Sequence, residues 1–171
     1  DYNELISMDV DVQNVGSVNA NSVNVTLTTN DQAITVLNNL AVITIINPSQ
    51  TLSIPTPFTF QVASSINDQH LVVFDLEMTD GSNTWSSTLN VLLNAPDLDH
   101  TNFTINDAVF GNANGMLDAG ETLELVIDAT NTGHSDIDNL TATLGSLSSY
   151  VTVNTGSVNL ASLNTNQQQS T

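Results

Sequence analysis

Glu4-Leu5-Ile6-Ser7-Met8-Asp9-Val10-Asp11 is answered 117 residues later by Glu121-Thr122-Leu123-Glu124-Leu125-Val126-Ile127-Asp128. At the same offset Asn14-Val15-Gly16 falls on Asn131-Thr132-Gly133. Val23, Val25, Thr26 and Leu27 fall on Leu140, Ala142, Thr143 and Leu144, and Ile34-Thr35-Val36 falls on Val151-Thr152-Val153. No gap is needed as far as Thr171, which falls on Ile54. Strand side chains alternate between two faces, so a one-residue slip would turn every apolar position outward. A gapless match of apolar positions therefore predicts the same strands in the same register twice over.

The alternation within each copy is that of half-buried strands. Ile6, Met8, Val10 and Val12 share one face, as do Val23, Val25 and Leu27. Phe58, Phe60 and Val62 follow the breaker stretch Ile54-Pro55-Thr56-Pro57. Leu71, Val73 with Phe74, Leu76 and Met78 come next, then Leu89, Val91 and Leu93. Asn14-Val15-Gly16, Asn47-Pro48, Asp80-Gly81 and Asn131-Thr132-Gly133 punctuate them as turns. No segment carries a helical period. Short strands with frequent Asn, Asp and Gly turns predict an all-β sandwich.

Composition excludes several functions. The 171 residues contain no Lys or Arg and 18 acidic residues, a formal charge of -18. Against ordinary composition such a run is expected about once in 10⁸ sequences. No cationic surface exists for nucleic acid or anionic lipid. No Lys or Arg is present to clamp a phosphate or form a Schiff base. Cys is absent, which removes disulfides, thiol catalysis and Cys-ligated zinc. No apolar run reaches membrane-spanning length, so membrane insertion is not expected. Proteases that require Lys or Arg find no cleavage site here.

The repeat also marks domain boundaries. A first sandwich is expected over 1–97 and a second over 98–171, joined near Asn94-Ala95-Pro96-Asp97, where proline stiffens the joint. Residues 98–117 have no counterpart in the first copy, and residues 55–97 have none in the second. The first sandwich is thus expected to lack its first strand and the second its last strands. Open edges and partly bared cores follow. Neighbouring repeats of the same chain, or strands from another molecule, would complete them.

Gly111-Asn112-Ala113-Asn114-Gly115-Met116-Leu117-Asp118-Ala119-Gly120-Glu121, followed by a strand and Asn131-Thr132-Gly133, resembles a loop signature of immunoglobulin-like modules. Those modules occur in large secreted Bacteroidetes proteins of the type IX secretion route, among them domains accompanying gingipain-type proteases and surface adhesins. Asp1-Tyr2-Asn3-Glu4 matches the tail of the motif, Asp118 to Glu121. The resemblance covers nearly the whole chain. It implies tandem immunoglobulin-like β-sandwiches, both incomplete in this window, on a secreted or cell-surface protein. No protease catalytic segment is visible, so it implies no enzymology.

The same loop has a chemistry of its own. Calcium takes six to eight oxygens from carboxylates, amides and backbone carbonyls. With Asn114 at position 5 of an EF-hand-like spacing, Asn112 is 3, Gly115 is 6, Met116 is 7 through its carbonyl, Asp118 is 9 and Glu121 is 12. Position 1 is Phe110, which cannot ligate, and Asp107 is the replacement. Leu117 is expected to pin the loop to the core. The alternative is ordinary turn chemistry, with Glu121 bonded to loop amides.

Other residues carry weaker signals. His70, His100 and His134 lack metal-ligand spacing and are expected at the surface or at strand edges. No serine sits in a nucleophile elbow. Asp9 and Asp11 form a solvated stripe, and Trp85 is expected in the core opposite Phe74 or Phe60. The chain is therefore expected to be a non-catalytic structural or adhesion module, with a cell-surface protein or a glycan as its ligand. The alternatives are an accessory domain of a secreted protease or glycan hydrolase, and a fibre subunit that self-associates through open sandwich edges.

Overall fold

A computed structural model describes residues 1–54 and 58–171. The breakers Pro55 and Pro57 lie outside the described residues. The described chain is all-β and contains no helix. It divides into two compact units, Asp1–Asn94 and Ala95–Thr171.

The first unit contains β1 (Leu5–Met8), β2 (Asp11–Gln13), β3 (Ala20–Thr28), β4 (Ile34–Asn38), β5 (Leu40–Ile46), β6 (Thr51–Ser53), β7 (Phe58–Val62), β8 (His70–Thr79) and β9 (Thr84–Leu93). One sheet runs β1-β7-β4 and another β5-β3-β8-β9, with β2 paired to β6. All these pairs are antiparallel. Val23, Val25 and Leu27 of β3 are buried, as the alternation requires. They join Phe58, Phe60 and Val62 of β7 and Val72, Phe74 and Leu76 of β8 in one cluster. The Phe60 and Phe74 rings come from different sheets, and their centroids lie 5.0 Å apart at 46°. This is an arrangement compatible with a β-sandwich.

Two sequence expectations fail here. In the apolar run Leu71-Val72-Val73-Phe74, Val72 and Phe74 are inside while Leu71 and Val73 face solvent. A continuous apolar run does not reveal its own phase, and the register with β9 decides it. Trp85 is 44 % exposed rather than core. It shares parity with Leu89, Val91 and Leu93, but the cluster reaches Leu89 and Met78 and stops there.

The second unit contains β10 (Leu98–Asn106), β11 (Glu124–Asn131), β12 (Ile137–Thr143), β13 (Ser157–Leu163) and β14 (Gln168–Ser170). Its sheets are β10-β11-β14 and β12-β13. The ladders repeat those of the first unit at the offset read from the sequence. Val23↔Ile43 and Val25↔Ala41 in β3–β5 become Leu140↔Leu160 and Ala142↔Val158 in β12–β13. Asp11↔Ser53 and Gln13↔Thr51 in β2–β6 become Asp128↔Ser170 and Thr130↔Gln168 in β11–β14. Even the left-handed residues recur, Ser22 and Ser49 (φ 53° and 62°) with Asn139 and Asn166 (57° and 60°).

One segment departs from the repetition. β4 exists by pairing with β7. Its counterpart at Val151–Val153 has no such partner among the described residues and is not a strand. The core of the second unit is correspondingly thin. Leu160 and Leu163 are buried like Ile43 and Ile46, but Leu140 and Ala142 are only half-buried and Leu144 is exposed.

Candidate functional site

The loop between β10 and β11 gathers all six residues singled out by spacing: Asp107, Asn112, Asn114, Met116, Asp118 and Glu121. Buried Asp107 is its anchor. Its Oδ2 accepts the backbone N–H groups of Asn114 (2.8 Å) and Gly115 (3.0 Å). Glu121 closes the other end, with Oε1 accepting from Asn112 N–H at 2.7 Å and Oε2 from Asp118 N–H at 3.0 Å. Asp118 Oδ2 accepts both side-chain amides, Asn112 Nδ2 at 3.0 Å and Asn114 Nδ2 at 2.8 Å. Those two donors hold the Asp118 carboxyl below its usual range, Asn112 contributing most and then Asn114. Asn112 Oδ1 takes Asn114 N–H, and Asn114 Oδ1 takes Met116 N–H. These are Asx turns.

Gly111 belongs to the same closure. A Cβ there would lie 2.3 Å from Glu121 Oε1 and 2.8 Å from the Asp107 backbone oxygen. Gly115 and Gly120 take φ of 75° and 82°, where side chains are strained. Leu117, expected to pin the loop, is 55 % exposed instead. Carboxylate-to-amide bonds within residues 107–121 hold the loop's shape.

The donor chemistry suits a hard cation, yet the carboxylates here spend their bonds on amides. Among the described residues no group of three or more His, Cys, Asp or Glu side chains is arranged to hold a metal. Calcium entry would require Glu121 and the Asn amides to exchange these bonds for metal contacts.

Two further constellations escaped the sequence. The first is an asparagine corner. Asn131 Nδ2 donates to Ser135 O (2.8 Å) and Leu163 O (3.1 Å), and its Oδ1 accepts from Gly133 N–H (3.1 Å) and Asp97 N–H (3.2 Å). Asn14 repeats the first three bonds with Val18 O (2.8 Å), Ile46 O (3.0 Å) and Gly16 N–H (2.9 Å). Ala95–Asp97, expected to be linker, packs on the Asn131 corner and therefore belongs to the second unit. Thr132 N–H donates to Asp97 O at 2.7 Å and His134 N–H to Ala95 O at 3.0 Å.

The second is His70 Nε2 lying 2.8 Å from Asp31 Oδ2 in the first unit. The two are 39 residues apart, so no local pattern shows the pair. His100 is 3.9 Å from Asp99 and open to solvent. Asp9 and Asp11 are exposed as expected. Around His100, Phe103, Leu125 and Ile127 lies an apolar hollow. Leu125 and Ile127 stand where Met8 and Val10 pack against the first unit's core.

Comparison with known proteins finds no matching family model, no matching curated protein and no matching solved structure.

Asp31 gives a pH prediction. Its carboxyl is held below 3.8 chiefly by the Ala33 N–H (2.9 Å), with His70 adding to the effect and burial opposing it. A carboxyl whose folded pKa is depressed contributes stability above its unfolded value and loses it as pH falls through the folded one. Asp31→Asn should therefore destabilise the first unit at pH 7, and the gap to the parent should close as pH drops through and below 3.8. Denaturant midpoints at pH 7, 5, 4 and 2.5 measure it. A gap that stays constant over that range contradicts the assignment.

Proposed function

We propose that this chain is a non-catalytic extracellular module, a stretch of structural or adhesion stalk built from repeated immunoglobulin-like sandwiches. The observation that carries the proposal is the recurrence of ladders, left-handed residues and asparagine corners at one offset. A repeat that reproduces side-chain hydrogen bonds as well as strands is the mark of a chain that propagates one architecture. The chemistry agrees. The chain has no Lys, Arg or Cys, its histidines are dispersed, and the Asp107–Glu121 loop is closed on itself. The resemblance of Gly111–Glu121 to modules of secreted Bacteroidetes proteins supports the extracellular placement. Neighbouring repeats are the first partners this reading names, and a cell-surface protein or glycan is the second.

Calcium belongs to the proposal as a stabiliser of the Asp107–Glu121 loop. Asp107, Asp118 and Glu121 would supply charge, Asn112 and Asn114 amide oxygens, and Met116 its carbonyl. An extracellular-type affinity near 10⁻⁴ to 10⁻³ M makes millimolar calcium worth about 0.4–1.4 kcal/mol.

One experiment addresses both parts. The purified chain is screened against peptide, ester and glycoside substrates in millimolar calcium and in chelator, with melting followed in each. The expected result is no turnover that a single substitution removes, and a higher melting temperature in calcium. Turnover abolished by one substitution overturns the non-catalytic reading. Identical melting in the two conditions removes calcium from it.

A further inference from the structure

The two asparagine corners share their bonds but not their surroundings. At Asn131 the segment Ala95–Asp97 crosses the corner. Asp97 N–H reaches Asn131 Oδ1, Asp97 O takes Thr132 N–H and Oγ1, and Ala95 O takes His134 N–H. The crossing is so close that a Cβ at Gly133 would lie 2.3 Å from Ala95 O and 2.3 Å from Asp97 N. Glycine is obligatory there because backbone meets backbone. From this crossing the chain runs into β10, which pairs along β11 from Leu98↔Asn131 to Asn106↔Glu124.

Among its described residues the first unit shows the same receptor with no segment across it. Asn14 holds the same Asx geometry, and Gly16 stands at the position of Gly133. Yet a Cβ on Gly16 would meet only Asn14 Oδ1, at 3.1 Å, and its φ is not left-handed. Among the described residues no backbone lies over Gly16, and a Cβ there would ask only a few tenths of an ångström of the Asn14 side chain. Val18 is 74 % exposed, whereas Ser135, at the equivalent position, is 7 % exposed. The edge corresponding to the β10 side of β11 is also unpaired among the described residues. β1 ends its sheet, and β2 pairs only with β6 among the described residues.

We propose that the Asn14–Val18 corner, with the outer edge of β1 and β2, is a docking site for one kind of partner. That partner is an extended Ala-Pro-Asp-type joint of another repeat unit, continuing as a strand of the β10 kind. Its residue equivalent to Asp97 donates N–H to Asn14 Oδ1 and accepts from Val15 N–H. Its residue equivalent to Ala95 accepts from Ser17 N–H. The backbone passes over Gly16, and the following residues extend the ladder antiparallel along β2 and β1. Strand addition of this type draws affinity from main-chain hydrogen bonds and specificity from the crossing point. The asparagine is held ready by Val18 O and Ile46 O before anything binds, which reduces the ordering cost.

The inference rests on the repeat-array reading, but its test is separate. Substrate turnover bears on the array reading, whereas docking is read at Asn14–Val18. A synthetic peptide with the sequence of residues 94–106 is titrated to millimolar concentration into the ¹⁵N-labelled chain. The expected result is saturable shifts of the Asn14 side-chain amide and of the Val15, Gly16 and Ser17 backbone amides, with slowed exchange along Asp11–Gln13. In the free corner Gly16→Ala needs a few tenths of an ångström of give from the Asn14 side chain, whereas beneath a crossing backbone like that at Gly133 its Cβ finds no such relief, so it should bind at least tenfold more weakly. Absence of shifts at Asn14–Val18, equal binding by Gly16→Ala, or shifts confined to Asn131–His134 each overturns the proposal.

Discussion

Phe74→Ala is expected to destabilise the first unit by about 3–5 kcal/mol, the range for emptying a buried aromatic site. Phe74 is fully buried on β8, and its ring meets Phe60 of the facing sheet at 5.0 Å. Truncation loses the transfer free energy of the ring and leaves a cavity between two sheets whose strands are fixed by their ladders. Those ladders limit collapse, because β8 is paired on both sides, to β3 and to β9. The tilted ring pair adds about 0.5–1.5 kcal/mol beyond area burial. Phe60→Ala should cost nearly as much, and the double substitution less than the sum of the two. Denaturant unfolding monitored by exchange of β3 and β8 amides measures each value. A loss under about 1 kcal/mol for Phe74→Ala would mean that the two sheets do not share this core.

The strands of the first unit were legible where alternation was strict. Val23-Asn24-Val25-Thr26-Leu27 shows its buried face in the residues themselves, and β7 does so at Phe58, Phe60 and Val62. Legibility ended where apolar residues ran together or where burial depended on a distant strand. Val72 rather than Val73 faces inward because β9 sets the phase. Trp85 has core parity but pairs with Met78 at the rim of the cluster and stays exposed there, which no local pattern reports. The loop was legible as a gathering of six residues, since Asx turns and EF-like spacing are local features. The partner of each oxygen was not. Whether Glu121 faces a cation or two amide N–H groups depends on backbone directions fixed by turns at Gly115 and Gly120. Asp31 and His70, and Asn131 with Leu163, meet only after strands distant in sequence pair. Asn-x-Gly at two places was visible as a turn, and its bonds to the next strands were not.

The second unit should depend on Asn131 more than on any one apolar side chain. Its core is thin, and Asn131 is fully buried at the crossing of Ala95–Asp97, β11 and β13. Asn131→Ala removes two donors and one acceptor that serves two N–H groups. It strands Ser135 O, Leu163 O, Gly133 N–H and Asp97 N–H. Each buried group left unpaired costs about 1–3 kcal/mol, less where water can enter. With four groups affected, a total of about 4 kcal/mol is expected even at the low end of that range, enough to unfold a marginal unit. Asn131→Asp keeps the acceptor but sets a second oxygen against two carbonyls, so it should rescue nothing. Asn14→Ala is the internal control. That corner makes three of the same bonds but is half-buried and uncovered, so water can replace them at about 1 kcal/mol. Hydrogen exchange of the β12 and β13 amides reports the second unit, and that of the β3 and β5 amides reports the first. Equal losses from the two alanine variants would show that the covering segment adds nothing to the corner. A loss at Asn131 several-fold larger would show that the crossing of Ala95–Asp97 turns a common turn motif into the main fastening of the unit.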